Sequence, residues 1–268
     1  MSYKKLIIKG IFFGLIFTIT YSAIRSCTSQ PASSQTHSEP SVPTSTSELI
    51  KSWREQFKDE ILHSYTFTQE TVRYKDGVAQ EPAIWEEAVQ YPSYFRIDLP
   101  KTAEGHNINL SRNDSVYVMR KGVVVDSSRQ IQQFMIMEGS MYFDPVDTTL
   151  AKLREVGINP DIFATSQYQN RKVYIIGAKD DDLSVPQIWV DAERRYNVRR
   201  FSKTRSEKLL EVRYSEFKPY DGYWMEHWLE FLIEGKIVQT ERYKQINIHP
   251  QLTSETFSRD SFSNHFWY

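Results

Sequence analysis

The residue with the clearest potential for covalent chemistry is Cys27, the only cysteine among 268 residues. A lone thiol cannot form an intrachain disulfide, so the chemistry open to it is modification. It follows an uncharged, mostly apolar stretch from Gly10 to Ile24, which is itself preceded by the pair Lys4-Lys5. This order is typical of an export signal, whose apolar core is too short to span a bilayer comfortably.

The residues just before Cys27 resemble a bacterial lipobox, with apolar Ile24 three positions before the thiol and small Ser26 directly before it. In that motif the thiol takes a diacylglyceryl group and becomes the mature N-terminus. Arg25 departs from the motif, which usually carries a small or neutral residue there. An uncleaved signal anchor stays open as the alternative, because the segment counted from Leu6 is nearly long enough to cross a membrane. Both interpretations export the chain and tether it by its N-terminus.

Composition divides the chain into three parts. Residues 1–27 are the predicted lipoprotein signal peptide, which ends at the candidate acylated cysteine. Residues 28–47 are rich in Ser, Thr, Pro and Gln without apolar periodicity, and predict a flexible tether with a reach of about 25 Å. Residues 48–268 have the length of one large β domain.

The remaining chemistry argues against several function classes. The net charge is -1 with both signs mixed along the chain, so nucleic acid is not an expected partner. Glycine-rich phosphate loops and a G-x-S-x-G nucleophile motif are absent from the sequence, and the six histidines form no metal-binding pair. Asp180, Asp181 and Asp182 are interpreted as a solvated turn rather than a calcium contact. We therefore predict no enzyme, no metal and no cofactor.

Apolar periodicity predicts an amphipathic helix over residues 47–62. Its apolar face carries Leu49, Ile50, Trp53, Phe57 and Ile61 at three- and four-residue steps. The opposite face mixes acidic and basic residues, which favours packing on a sheet over a role at a membrane surface.

Short β-branched and aromatic segments separated by glycine turns predict roughly a dozen antiparallel strands after this helix. Turns are predicted at Asp76-Gly77, Lys121-Gly122 and Glu234-Gly235. A sheet that wide curls, so helices can fill or cover its concave side.

Two helices are predicted within the run of strands. One carries Leu150, Leu153 and Val156, with Asp147 as its N-cap and Gly157 as its stop, and the other covers residues 130–138.

Residues 223–234 show the clearest strand alternation. One face, predicted to point inward, reads Tyr223, Met225, His227, Leu229, Phe231, Ile233, and the other, with three glutamates, is predicted to be solvated. His227 is interpreted as a hydrogen-bonded core residue.

These segments together resemble the lipoprotein-sorting carriers of Gram-negative envelopes, the LolA/LolB-like proteins. The likeness rests on Phe67-Thr68-Gln69, Asp76-Gly77, Pro92 to Arg96, Gln187 to Asp191, Val198-Arg199, Ile246 to Pro250 and Phe257, taken in that order.

This resemblance implies a fold that is mainly β with few helices: an antiparallel half-open β-barrel of about eleven strands, with helices filling or covering its concave face. It implies binding of lipoprotein acyl chains or other lipids, without catalysis. The candidate acyl-chain residues are Phe67, Met225, Leu229, Phe231, Ile233, Leu150 and Leu153. Soluble carriers of this kind commonly have an Arg that latches the lid where this chain has Tyr91, so such a latch is not expected.

Location and partners are further expectations. The predicted partners are a membrane, through the N-terminal lipid, and an acylated lipoprotein or lipid as ligand. Acidic residues just after the cysteine often redirect sorting in such lipoproteins, and the first one here is Glu39. We therefore expect a lipid-anchored protein of the cell envelope, in the outer membrane facing the periplasm. A structural or signalling lipoprotein with a filled β core remains the alternative, since an apolar concave face lines a cavity or a core equally well.

Overall fold

A computed structural model describes residues 42–57, 62–260 and 264–268. Cys27, the predicted signal peptide and most of the predicted tether lie outside the described residues. No helix in the described part of the chain is long and apolar enough to cross a bilayer.

Sixteen strands and a few helices make up the described domain. In chain order they are α1 (Thr46–Phe57), β1 (Ser64–Lys75), β2 (Val78–Ala79), β3 (Ala83–Gln90), β4 (Tyr94–Thr102), β5 (Gly105–Arg112), β6 (Ser115–Arg120), β7 (Val123–Arg129), α2 (Gln133–Met135), a π-helical turn (Ile136–Ser140), α3 (Met141–Phe143), α4 (Val146–Glu155), β8 (Phe163–Tyr168), β9 (Arg171–Ile176), β10 (Gln187–Asp191), β11 (Asn197–Lys203), β12 (Leu209–Ser215), β13 (Lys218–Tyr220), β14 (Tyr223–Met225), β15 (Trp228–Ile233), β16 (Lys236–Asn247) and a 3₁₀ turn (Ser254–Phe257).

Fourteen strands form one antiparallel sheet that does not close into a barrel. Its order is β7-β6-β5-β4-β3-β1-β16-β15-β12-β11-β10-β9-β8, with β2 paired to β1, while β13 and β14 form a separate hairpin. Strands β1 and β16 lie far apart in the sequence but pair with each other, which brings the two ends of the domain together at the middle of the sheet. The half-open antiparallel architecture is therefore confirmed, with more strands than the eleven expected.

Local turn chemistry explains the meander. At Asp76-Gly77 and Glu234-Gly235 both residues have positive φ, between 52° and 79°. This is the type I′ geometry that matches the twist of paired strands, and it favours glycine at the second position. These turns were predicted from the sequence because they depend on the residues within them.

The concave side of the sheet is filled by helices. The predicted first helix is α1, whose buried face carries Leu49, Ile50, Trp53 and Phe57 as expected, while residues 58–61 lie outside the described residues. The second helix, expected over 130–138, is a continuous helical run from Gln133 to Phe143, which we call the central segment. Its residues Met137 and Met141 are almost fully buried. Apolar burial of this kind is the main stabilising term.

Helix α4 begins differently from the prediction. Asp147 lies in its first turn, and Pro145 occupies the N-cap position without a side-chain cap. Proline has a fixed φ and no N–H to satisfy, so it is well suited to a helix start. Gly157 follows the helix with φ of 83°, as expected for a helix stop.

A separate set of contacts covers the convex side of the sheet, centred on Arg96 and the C-terminal residues. Arg96 is fully buried there and forms a bidentate pair with Asp98, with Nε to Oδ1 at 2.6 Å and Nη2 to Oδ2 at 2.8 Å. Its Nη1 donates to the carbonyl oxygens of Thr256 and His265, each at 2.8 Å, and Trp267 stacks on the guanidinium. The Arg96 guanidinium thereby holds the C-terminal residues against the outer face of β4.

The strand predicted over 223–233 is interrupted. Residues 223–225 pair with β13, and pairing with β16 begins only at Trp228. Glu226 therefore lies at a break, where it faces the interior, and the prediction that it is solvated was wrong for this residue. A register shift between Phe231 and Leu232 also moves Leu232 into the core at 4% exposure.

Residues 40–268 form one compact unit, and every hydrophobic cluster of the described residues lies within it. Because this unit contains its own core, we expect it to fold without the residues that precede it.

Candidate functional site

A cavity of about 150 Å³ lies between the concave face of the sheet and the start of the central segment. Strand alternation positions its walls, because every second side chain of each strand points inward. Gln69 on β1 lies opposite both Trp85 of β3 and Tyr243 of β16, so these three side chains share the inner face. Glu87, next inward on β3, lies opposite Phe67.

One part of the cavity wall is apolar. Phe95 and Ile97 of β4 face Leu229 and Phe231 of β15, and Phe134 of the central segment covers them. The rings of Phe95 and Phe134 are 4.9 Å apart between centroids. An apolar void of about this size can hold one benzene-sized molecule.

The other part of the wall carries charged groups. Glu87 is 2% exposed, and its Oε1 has no hydrogen-bond partner among the described residues. Glu241 accepts from Gln239 Nε2 at 2.6 Å, and Arg200 Nε has no partner in the described structure. Burial raises the pKa of Glu87 well above its ordinary value, and the Glu241 carboxylate raises it further. Burial also raises the pKa of Glu241, to about 7.

A second, enclosed void of about 20 Å³ lies deeper in the concave face. Tyr91 donates from its hydroxyl to Glu138 Oε2 at 3.4 Å, and Asn197 Nδ2 donates to Glu138 Oε1 at 3.3 Å. Burial, with the nearby Glu226 carboxylate, raises the pKa of Glu138 to about 8, and burial raises the pKa of Glu226 to about 7. Near neutral pH the Glu138 carboxyl is therefore held mostly in its neutral form, whereas Glu226 titrates within this range.

The central segment is fastened to the rest of the domain in two ways. Tyr91 contacts it through Glu138, at the position where the resembling carriers have an Arg. From the other side, Arg54 of α1 donates to the carbonyl oxygens of Met141 at 3.1 Å and Ser140 at 3.2 Å, and to that of Asp144. The Ser140 carbonyl also accepts from the Asp144 N–H at 3.2 Å and from Thr149 Oγ1 at 2.9 Å, so Arg54 adds a cationic donor to the C-terminal end of the segment.

The seven predicted acyl-chain residues are distributed as follows. Leu229 and Phe231 line the 150 Å³ cavity, and buried Phe67 lies 4.4 Å from the ring of the lining residue Tyr243. Met225 lines the smaller void. Ile233, Leu150 and Leu153 line neither of these two spaces: Ile233 is half-buried beside the last hairpin turn, and the two leucines pack from α4 against the core.

His227 is a hydrogen-bonded core residue, as predicted. Its Nδ1 is 3.1 Å from the carbonyl oxygen of Tyr243, and its Nε2 is 3.0 Å from the hydroxyl of Tyr220.

Sequence reasoning missed the buried carboxyls. Glu87 could have been found, because it shares strand parity with the apolar residues Val89 and Tyr91. Glu226 carried no such signal, since its inward position follows from a strand break that the uniform alternation conceals.

A larger groove of about 620 Å³ lies where α4 ends beside residues 177–186. Its polar groups are exposed or already bonded: Lys203 pairs with Glu207 at 2.9 Å, and Asp182 accepts from Ser184. Among the residues that the structure describes, no group of three or more His, Cys, Asp or Glu could hold a metal ion. The groove therefore offers no comparable polar site.

No protein-family model matches the sequence, and no curated protein matches it either. Solved structures do. A LolA superfamily protein from Nitrosomonas europaea matches with a TM-score of 0.53 and 14% identity, over 79% of this chain and 98% of that one. A putative outer membrane lipoprotein-sorting protein domain from Vibrio parahaemolyticus matches with a TM-score of 0.55 and 11% identity, over 81% and 98%.

A DUF1329 family protein from Desulfovibrio piger matches with a TM-score of 0.51 and 14% identity, over 80% of this chain and 96% of that one. At these identities the likeness concerns architecture, which agrees with the open antiparallel sheet and the helices on its concave face. The chain therefore has the fold of the LolA superfamily.

Proposed function

We propose that this protein is an envelope lipoprotein, attached through Cys27, that binds an acyl chain of a lipoprotein or other lipid on its concave face. The observation that carries the proposal is the cavity between the sheet and the central segment, where Phe95, Ile97, Leu229 and Phe231 meet. The similarity to a structure named for lipoprotein sorting supports it. So does the lipobox-like sequence before Cys27.

Burial of apolar surface alone can supply the free energy of lipid binding, without any chemical reaction. Each buried methylene contributes about 0.8 kcal/mol, so a few carbons of a chain in this cavity already favour binding. The space of about 150 Å³ accepts only the end of a chain. A longer chain requires the central segment to move away from the sheet, which breaks the Tyr91 and Arg54 contacts. We propose a non-enzymatic binder on the periplasmic side of the outer membrane.

The second candidate is a structural or signalling lipoprotein with a filled core. The observation in its favour is that α1 and the central segment occupy most of the concave side. Leu49, Ile50, Met141 and Leu153 are all fully buried there.

Lipid binding by residues 40–268 separates the two candidates. We expect lipid to co-purify with this unit, and a pyrene-labelled acyl lipid to bind it. Phe231→Glu should weaken that binding at least tenfold, because it adds a third carboxyl to the cavity. Ile233→Glu is the matched control, on the same strand and also half-buried but away from the cavity, and should leave binding unchanged. Absence of lipid and of probe binding in the wild-type unit would support the filled core.

A further inference from the structure

The charged groups that line the 150 Å³ cavity do not balance. Two carboxyls, Glu87 and Glu241, face one guanidinium, Arg200, and the other titratable groups in the wall are the phenols of Tyr214 and Tyr243. With both carboxyls ionised, the wall has one negative charge in excess. A buried excess charge is costly, so in the empty cavity it is avoided by keeping a proton on a carboxyl.

Glu87 Oε1 and Arg200 Nε are the two charged-group atoms of this wall without a hydrogen-bond partner in the described structure, and Glu87 supplies the acceptor. It is 2% exposed, and its Oε1 receives no hydrogen bond in the described structure. Glu241, by contrast, already accepts from Gln239 and from Tyr243, whose hydroxyl is 3.4 Å away. A buried acceptor without a donor is uncommon in folded proteins. The vacant acceptor therefore marks a position where a ligand can supply the missing donor.

From this arrangement we infer that the cavity selects amphiphiles whose polar end is a primary ammonium group. On binding, Glu87 releases its proton to solvent, the ammonium nitrogen donates to the resulting carboxylate, and the ammonium charge replaces that proton in balancing the wall. The adjoining carbons lie against the apolar side chains of Leu229 and Phe231. The inference rests on the proposed lipid-binding function and specifies its ligand class.

The same wall disfavours other head groups. A carboxylate head gains Arg200 but faces two carboxyls, which leaves like charges buried together. A hydroxyl head can donate to Glu87 but brings no charge. The expected order of affinity is therefore amine, then alcohol, then carboxylate.

Three probes of equal chain length test this order: dodecylamine and dodecanoate below their micelle-forming concentrations, and dodecanol below its solubility limit. Their binding to residues 40–268 is measured by calorimetry. We expect dodecylamine to bind about tenfold more tightly than dodecanol. Glu87→Gln keeps an acceptor oxygen but removes the charge, so it should remove most of that difference. The matched control is Glu86→Gln, on the same strand, whose carboxylate instead accepts from Thr68 Oγ1 at 3.0 Å and does not line the cavity.

The outcomes separate this inference from the proposed function. Equal or weaker binding of the amine relative to the alcohol overturns the ammonium inference and leaves lipid binding standing. The ammonium inference is likewise overturned if the amine preference persists in Glu87→Gln, or if Glu86→Gln loses it to the same extent. If none of the three probes binds the wild-type unit, the proposed function fails with it. Should Glu87→Gln not fold, Glu241→Gln removes the other carboxyl and must reduce the amine preference in the same way.

Discussion

At the scale of single residues, the interior carries more carboxyls than an apolar trough requires. Glu138 and Glu226 lie with tyrosines in the deeper void, and Glu87 and Glu241 line the larger cavity. All four have raised pKa values, with burial as the largest cause. Such groups are stable when protonated and resist ionisation, so they link folding to pH.

The sign of that linkage gives the first prediction. A carboxyl with a folded pKa above its ordinary 4.5 contributes stability that is fully present below pH 4.5 and is lost as the pH rises toward its folded value, about 7 for Glu226 and about 8 for Glu138. We expect the free energy of unfolding of Glu226→Gln to equal that of the wild type below pH 4.5. At pH 8 it should be larger than that of the wild type by on the order of 1–3 kcal/mol.

Urea unfolding across this pH range measures the difference. Glu234→Gln, in an exposed turn where the carboxylate pairs with Lys208, is the control and should not gain stability over the wild type between pH 6 and pH 8. A wild-type protein that gains stability relative to Glu226→Gln as the pH rises would contradict the prediction.

At the scale of elements, the central segment is the part that must move for a long chain to enter. It contacts the turn that follows β3 through Tyr91, and α1 through Arg54. Gly139 brings the segment close to the sheet, since a Cβ there would lie 2.3 Å from the carbonyl oxygen of Pro92. Close packing of this kind limits the segment to discrete positions rather than gradual displacement.

Removal of the Arg54 contact is the second prediction. Arg54→Met keeps much of the side-chain length but leaves the carbonyls of Met141 and Ser140 without this donor, which should destabilise the domain by about 1.5–3 kcal/mol. Hydrogen exchange should become faster within residues 133–143. Arg154→Met is the control, because it removes an exposed ion pair with Asp161 and should cost less than about 1 kcal/mol. Equal effects of the two substitutions would contradict the role of Arg54.

At the scale of the whole molecule, attachment and the folded domain are separate features. The compact unit begins at Pro40, and Cys27 precedes it by 13 residues. If Cys27 carries a lipid, the residues between Cys27 and Pro40 link that lipid to the folded unit. Stable attachment needs more than one acyl chain, since a single chain gives only marginal membrane binding.

The third prediction concerns this attachment. If Cys27 is acylated, Cys27→Ala in the full chain should abolish lipid modification by intact mass, and the protein should leave the detergent-requiring membrane fraction. Ser26→Ala is the control, because it keeps a small residue before the thiol and should be modified normally. An unchanged mass and fractionation for Cys27→Ala would instead favour an uncleaved signal anchor.

The sequence by itself determined the features that depend on neighbouring residues. The buried face of α1 follows from the spacing of Leu49, Trp53 and Phe57, and the hairpin turn at Asp76-Gly77 follows from local backbone preferences. Many such hairpins in series also made a curled antiparallel sheet the expected architecture.

The tertiary structure decided the features that depend on which segments meet. Glu226 turns inward because the strand breaks between two different partners, β13 and β16, and a uniform alternation in the sequence does not show that break. Glu87 Oε1 lacks a hydrogen-bond donor because no donor group of the described residues reaches it across the cavity. Which apolar side chains line the cavity and which pack in the core likewise depends on tertiary packing, since the same residues can serve either one until the helices are in place.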